Sequence, residues 1–290
     1  MAAIGPRWAS DIVGHSRQTI EAYSSLIRET PRPVVQTARE LAYGPDPRQR
    51  LDVYHSSEAF GRPIVIFVHG GAFIRGQKDV TAEVYGNVPR YFAEHGLVGI
   101  NVEYRLAPEF AFPSGAHDVE AAVRWARAHA GAYGGDPRRI FLMGHSAGGT
   151  HAASYVFDAS VRLAGSPDVA GLVLVSARLR ADVLPDNPNA SGVRAYFGDD
   201  PALYESRSPL AHAAESDLPV FIAIAEFENP YLDVYGAELF YRLSVARRRS
   251  PPFMRLVAHN HTSVVAHFGA GHEVLGPAIL DFIAKEVSRR

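Results

Sequence analysis

The chain of 290 residues contains no cysteine. That excludes disulfides, a thiolate nucleophile and thiolate metal sites together, and it fits a reducing compartment. An excess of charge of one sign is also missing: 29 Lys and Arg oppose 31 Asp and Glu, a formal charge of −2. Such a balance offers no broad attraction for nucleic acid or an anionic membrane surface. The clusters Arg247-Arg248-Arg249 and Arg289-Arg290 are short, and read as a solvated helix end and a tail. No apolar stretch approaches the length of a membrane span, and residues 1–11 hold no signal-peptide-like run. The expectation is a cytoplasmic protein. Internal repeats and low-complexity segments are absent as well. What is present is ordinary for a globular enzyme, 47% hydrophobic and 21% charged residues, enough for one large α/β domain or two smaller ones.

Residues 8–28 place Ile12, Ile20, Tyr23, Leu26 and Ile27 roughly on one helical face, and Thr30-Pro31-Arg32-Pro33 ends the pattern. Segments 36–43 and 50–55 alternate as strands around Gly44-Pro45-Asp46-Pro47, which predicts a hairpin. Strands and helices then alternate. Apolar strands are expected at 63–68, 98–103, 140–143, 169–175, 220–225 and 253–258. Helices are expected at 82–95, 115–130, 150–159, 235–246 and 274–287. Val/Ile/Leu-rich strands separated by helices predict a mostly parallel sheet covered on both faces. Right-handed crossovers align the carboxyl ends of its strands along one rim, where ligands bind. The irregular stretch 178–214 is placed to cover part of that rim.

The run Phe141-Leu142-Met143-Gly144-His145-Ser146-Ala147-Gly148-Gly149 reads as an apolar strand, then G-x-S-x-G, then small residues opening a helix. That context makes it a nucleophile elbow, with the Ser146 hydroxyl at the tip of a sharp turn and the Ala147 N–H behind it. A serine hydroxyl near neutral pH needs a base, an acid to orient the base, and donors for an oxyanion. The later strand ends supply them in the order serine, acid, histidine. After 220–225 come Glu226, Glu228 and Asp233, and Glu228 is the first choice for the acid, with Glu226 read as a structural carboxylate. After 253–258 come His259 and His261, and His261 is the base. His259 is read as tied to the strand end, and His267 and His272 as exposed. His259, His261, Glu226 and Glu228 also admit a zinc reading, which would leave the elbow without a purpose. After 63–68, His69-Gly70-Gly71-Ala72-Phe73 offers backbone donors from Gly71 and Ala72 for the oxyanion, beside Ala147, while His69 braces the loop.

These motifs, together with Tyr104-Arg105-Leu106-Ala107-Pro108-Glu109 and Ser208-Pro209-Leu210 ahead of Leu218-Pro219, give the chain a resemblance over roughly residues 48–288. It resembles the hormone-sensitive-lipase-like carboxylesterase branch of the α/β-hydrolase superfamily, near its kynurenine-formamidase-like and feruloyl-esterase-like relatives. The resemblance implies an α/β-hydrolase fold with a small helical cap and no cofactor. It also implies a serine hydrolase that cleaves a carboxylic ester of a small or aromatic substrate through an acyl-enzyme. An amidase or arylformamidase using the same triad, and a non-catalytic small-molecule receptor on the same scaffold, are the alternatives. On this reading residues 1–35 form a cap segment and 36–290 the core, with 178–214 contributing to the cap. A homo-oligomer stays open, and no nucleic acid, membrane or metal partner is expected. Three departures stand out. Ala72 replaces the third glycine of the loop, tolerable if its φ is negative. His145 stands where aspartate is common, and Glu228-Asn229-Pro230 replaces Asp-Pro-Leu. Arg105 is available to pair with Glu109, and Phe73, Phe110, Phe112, Tyr196, Phe197, Phe227 and Tyr231 are as fit for a pocket wall as for plain core.

Overall fold

The computed structural model describes residues 3–289; Met1, Ala2 and Arg290, the outermost positions of the two expected segments, lie outside the described residues. Eight strands form one sheet in the order β1-β2-β4-β3-β5-β6-β7-β8. The hairpin strands β1 (Gln36–Ala42) and β2 (Arg50–His55) pair antiparallel, and β2 pairs antiparallel with β4 (Val98–Val102). From β4 onward, β3 (Arg62–Val68), β5 (Gly135–His145), β6 (Gly171–Val175), β7 (Val220–Phe227) and β8 (Phe253–Asn260) are all parallel.

Successive side chains of a strand face opposite sides of a sheet, so each apolar strand feeds two cores. Ile64, Ile66 and Val68 of β3 enter one core, and Val65 and Phe67 enter the other. The first core is closed by α3 (Ser114–His129), α4 (Ala147–Phe157) and α8 (Leu232–Arg247), through Val119, Val123, Ala152, Val156, Leu239 and Leu243. The second is closed by α2 (Asn87–Glu94) and α10 (Leu275–Ser288), through Val88, Tyr91, Phe92, Ile279, Phe282 and Ile283. Each such aliphatic or aromatic side chain stabilises the fold by about 1.5–3 kcal/mol relative to exposure. The region 178–214 carries three short helices, α5 (Ala190–Phe197), α6 (Tyr204–Arg207) and α7 (Pro209–His212).

The first helix differs from the expected one. Asp11 accepts a hydrogen bond from the Gly14 N–H at 2.9 Å and caps α1 (Ile12–Glu29), leaving Gly5–Ser10 as a separate 3-10 turn. The expected helix at 82–95 begins only at Asn87. Thr81 Oγ1 accepts from the N–H groups of Glu83 and Val84, and the Val84 carbonyl accepts from Val80 and Thr81, so 80–84 close on themselves as a turn. Arg105 pairs with buried Asp118 at 2.7 Å rather than with Glu109, which is exposed. Asp118 also accepts the Arg105 N–H, so one carboxylate anchors both ends of that residue.

Candidate active site

Five neighbouring strands deliver the site residues to one rim. The chain leaves β3 at His69-Gly70-Gly71, β5 at Ser146, β6 at Ser176, β7 at Glu228, and β8 at His261. Because β3, β5, β6, β7 and β8 are adjacent and parallel, these residues line up in the same sequence along the edge. At the β7/β8 end the ladder is interrupted between Ala225 and Phe227, and the His261 N–H bonds the Phe227 carbonyl at 3.0 Å. The interruption turns the histidine back across the rim toward β5.

Ser146 sits at φ 54 and ψ −122, a conformation costly for a residue with a Cβ. Its N–H bonds the Val175 carbonyl, and its own carbonyl accepts from Arg178 N. The glycines around it make the sharp turn possible. A Cβ on Gly148 would lie 2.2 Å from the Val68 carbonyl oxygen, and one on Gly144 would lie 2.6 Å from that of Gly148. Strand and helix therefore approach closely enough to leave the serine projecting.

The Ser146 hydroxyl oxygen lies 3.0 Å from His261 Nε2, and His261 Nδ1 lies 2.8 Å from Glu228 Oε2. Since Nδ1 faces a carboxylate it carries the proton, which leaves Nε2 as the acceptor for the serine hydroxyl. The Glu228 side chain is only 3% exposed. Its other oxygen accepts from the Ser176 hydroxyl and from the Ala225 N–H at 2.8 Å. A carboxylate with these donors is held in one orientation and does not need water.

The remaining acidic and histidine candidates lie apart from this line. Glu226 accepts from the Ala258 N–H and from Arg255 across the β7/β8 pair, and those bonds hold its carboxyl below the ordinary value. Asp233 is exposed in the first turn of α8. His259 remains in β8 and faces Ser263 Oγ at 3.0 Å. His272 is exposed as expected, but His267 is buried at 1% exposure. It follows the short helix α9 (Ser263–Ala266), bonds the Ser263 carbonyl through Nδ1 and packs against His259. Burial lowers it to about 4, so it is a neutral core ring.

On the other side of Ser146, Gly71 has φ 154, and a Cβ there would meet the Arg75 carbonyl oxygen at 1.8 Å. Ala72 has φ 51 and Phe73 φ 71, so the negative φ expected of Ala72 is not adopted; the loop turns through a left-handed pair. Gly71 and Ala72 line the cavity beside Ser146, and Ala147 is the first residue of buried α4. His69 braces the loop as expected: Nδ1 bonds the Gly70 carbonyl at 2.7 Å and Nε2 meets Glu103 at 3.1 Å.

The cavity in front of the serine has a volume of about 820 Å³. Trp8, Ile12, Val13 and Ile20 line it together with Val80, Tyr85 and Pro188. None of the seven aromatic residues named from the sequence lines it. Phe73, Phe112, Tyr196 and Phe197 instead pack against one another, stacked or edge-on, in a separate core that includes Val193 and Tyr204 of the 178–214 region. The 3-10 turn and α1 are tied to the site loops. Trp8 Nε1 donates to Asn229 Oδ1 at 3.0 Å, next to Glu228, and Ser16 Oγ lies 2.8 Å from Thr262 Oγ1, next to His261. Ser176 and Tyr85 were not singled out by reasoning from sequence, and His145 stood out there only as a departure from the resembled motif, with no role. Ser176 had a signal, a polar residue at the end of the strand lying between those of the serine and the acid.

The BD-FAE family model matches residues 51–163. An arylesterase of Saccharolobus solfataricus is 31% identical over 205 residues, 67% of this chain and 66% of that protein. A probable isoprenylcysteine alpha-carbonyl methylesterase of Oryza sativa is 34% identical over 134 residues, 46% of this chain. The chain matches only 31% of that protein's length, and 27% to 29% of several other curated relatives. Among solved structures, esterase B of Lactobacillus rhamnosis superposes with a TM-score of 0.75 over 99% of this chain and 96% of that one, at 20% identity. With its mostly parallel sheet, serine elbow and these relatives, the chain belongs to the α/β-hydrolase superfamily, in the hormone-sensitive-lipase-like carboxylesterase branch.

Proposed function

We propose that the protein hydrolyses carboxylic esters through an acyl-enzyme on Ser146. The observation that carries this reading is the hydrogen-bonded line from Ser146 through His261 to Glu228, opening on a partly apolar cavity. His261 Nε2 takes the hydroxyl proton as Ser146 Oγ attacks the ester carbonyl carbon. Glu228 stabilises the resulting imidazolium through Nδ1. The N–H groups of Gly71, Ala72 and Ala147 receive the oxyanion, Ala147 from the positive end of α4. The tetrahedral intermediate collapses as His261 returns the proton to the departing alcohol. Water, deprotonated by the same imidazole, then attacks the acyl group and releases the acid. Loss of one oxyanion donor in such a site costs about 10²–10³ in rate.

The 3-10 turn and α1 serve as a cap in this reading, since Trp8, Ile12, Val13 and Ile20 wall the cavity above the serine. The cavity is of a size for a small or aromatic ester, a class in keeping with the arylesterase and methylesterase named among its relatives. The test is turnover of p-nitrophenyl acetate by the protein and by Ser146→Ala. The variant is expected to fold normally, judged by circular dichroism, and to lose at least about 10⁴-fold in kcat. A variant of undiminished rate contradicts the assignment. A wild-type protein that binds aromatic esters without turning them over points to a receptor instead.

A further inference from the structure

The imidazole of His145, inside the elbow motif, is buried and makes no hydrogen bond to the side chains of Ser146, His261 or Glu228. Its Nε2 lies 2.9 Å from the backbone carbonyl oxygen of His261. A carbonyl only accepts, so Nε2 carries the proton and Nδ1 is a bare acceptor. The Tyr85 hydroxyl, 3.3 Å away, is placed to donate to that Nδ1. The Tyr85 oxygen also lies against Gly70, at the start of the glycine loop, where a Cβ would come within 3.3 Å of it. The backbone of His261 is thus held at both its polar groups: its N–H by the Phe227 carbonyl and its C=O by His145. Desolvation, with the neighbouring His261 second, holds His145 well below the usual histidine value, so it stays neutral. Neutrality matters, because the His145 and His261 ring centroids are 4.7 Å apart. A cation at 145 would oppose the imidazolium formed at 261.

We propose that His145, with its tautomer set by Tyr85, is a positioning residue that aims the His261 imidazole at Ser146 by holding the His261 carbonyl, and links that carbonyl to the glycine loop. The proposal rests on His261 being the base. The hydrogen bond is made to backbone, so its loss leaves substrate contacts in place and lets the ring drift from the serine. Misplacement by about 1 Å can cost on the order of 10²-fold. Glutamine reproduces the Nε2–H donor without the ring, and phenylalanine reproduces the ring without the donor.

The experiment measures kcat and KM for p-nitrophenyl acetate, and the downfield proton resonance of the His261 Nδ1–H, in wild type, His145→Phe, His145→Gln and Tyr85→Phe. His145→Phe is expected to lose roughly ten- to hundredfold in kcat, with KM within about twofold and the downfield resonance weakened or lost. His145→Gln is expected to recover most of the rate and the resonance. Undiminished kcat in His145→Phe overturns the proposal and assigns any loss in His145→Gln to ring packing; a His145→Gln as slow as His145→Phe also overturns it, because the restored donor then recovers nothing. If His145→Phe does not fold, Tyr85→Phe decides: a several-fold loss in kcat at constant KM supports the proposal, and wild-type kcat overturns it. The resonance is read without turnover, so an inert wild type with an intact resonance counts against the esterase reading and not against this one.

Discussion

Ser176 shows how much of this site depends on residues that do no chemistry themselves. Its hydroxyl and the Ala225 N–H both donate to Glu228 Oε1, leaving Oε2 free for His261. Hydrogen bonds to a charged group contribute about 1.5–3 kcal/mol. Ser176→Ala is therefore expected to lower kcat about tenfold or more, with KM little changed, in steady-state assays on p-nitrophenyl acetate. An unchanged kcat would show that Ala225 N–H alone orients the carboxylate. The choice between Glu226, Glu228 and Asp233 was open in the sequence because all three follow the same strand. Geometry favours Glu228: β7 runs on through Phe227, so Glu226 is still paired to β8, and Asp233 is already on α8. His267 was misjudged for a similar reason, since nothing in the chain announced the short α9 that carries it inward.

At the scale of elements, the 3-10 turn and α1 are bound to the loops that follow β7 and β8. The Trp8–Asn229 and Ser16–Thr262 bonds fall one residue beyond Glu228 and His261. A segment fastened there shares its fate with the site. Trp8→Phe keeps the apolar wall but leaves the buried Asn229 Oδ1 without its donor, at a cost of about 1–3 kcal/mol. We expect a lower urea midpoint and a KM raised more than kcat is lowered. A variant with wild-type stability and KM would separate this segment from the site. The eight strands were legible because their signals are local: alternation about the turn at 44–47 for β1 and β2, and Val, Ile and Leu runs with Gly and Pro boundaries for the rest. Helix starts were less so. The turn at 80–84 and the cap at Asp11 are made by single side chains, Thr81 and Asp11, bonding to backbone, and helical periodicity does not register such bonds. The cavity wall was the least legible, because it is assembled from residues 8–21, 70–85 and 188–189, which only the fold brings together.

At the scale of the whole molecule, two neutral histidines are built into the interior besides His145. Burial lowers His151, boxed by Phe73, Tyr104 and Tyr196, to about 3, and His267 to about 4. In the unfolded chain each titrates near 6.5. Below that value the unfolded state binds protons that the folded state refuses, so stability present above pH 6.5 is lost as the pH falls toward 4. From pH 7.5 to 5.5 each of the two should cost about 1.4 kcal/mol of unfolding free energy. Urea titrations at these pH values check it, and a flat profile contradicts it. The rim of the sheet, meanwhile, gathers residues distant in sequence, from Gly71 through Ser146 and Glu228 to His261, and the esterase reading depends on that gathering. Its most direct test is treatment with a fluorophosphonate ester followed by peptide mass mapping. The account predicts one stoichiometric adduct on Ser146, absent from His261→Ala at matched times; no adduct, or an adduct elsewhere in the chain, would contradict it.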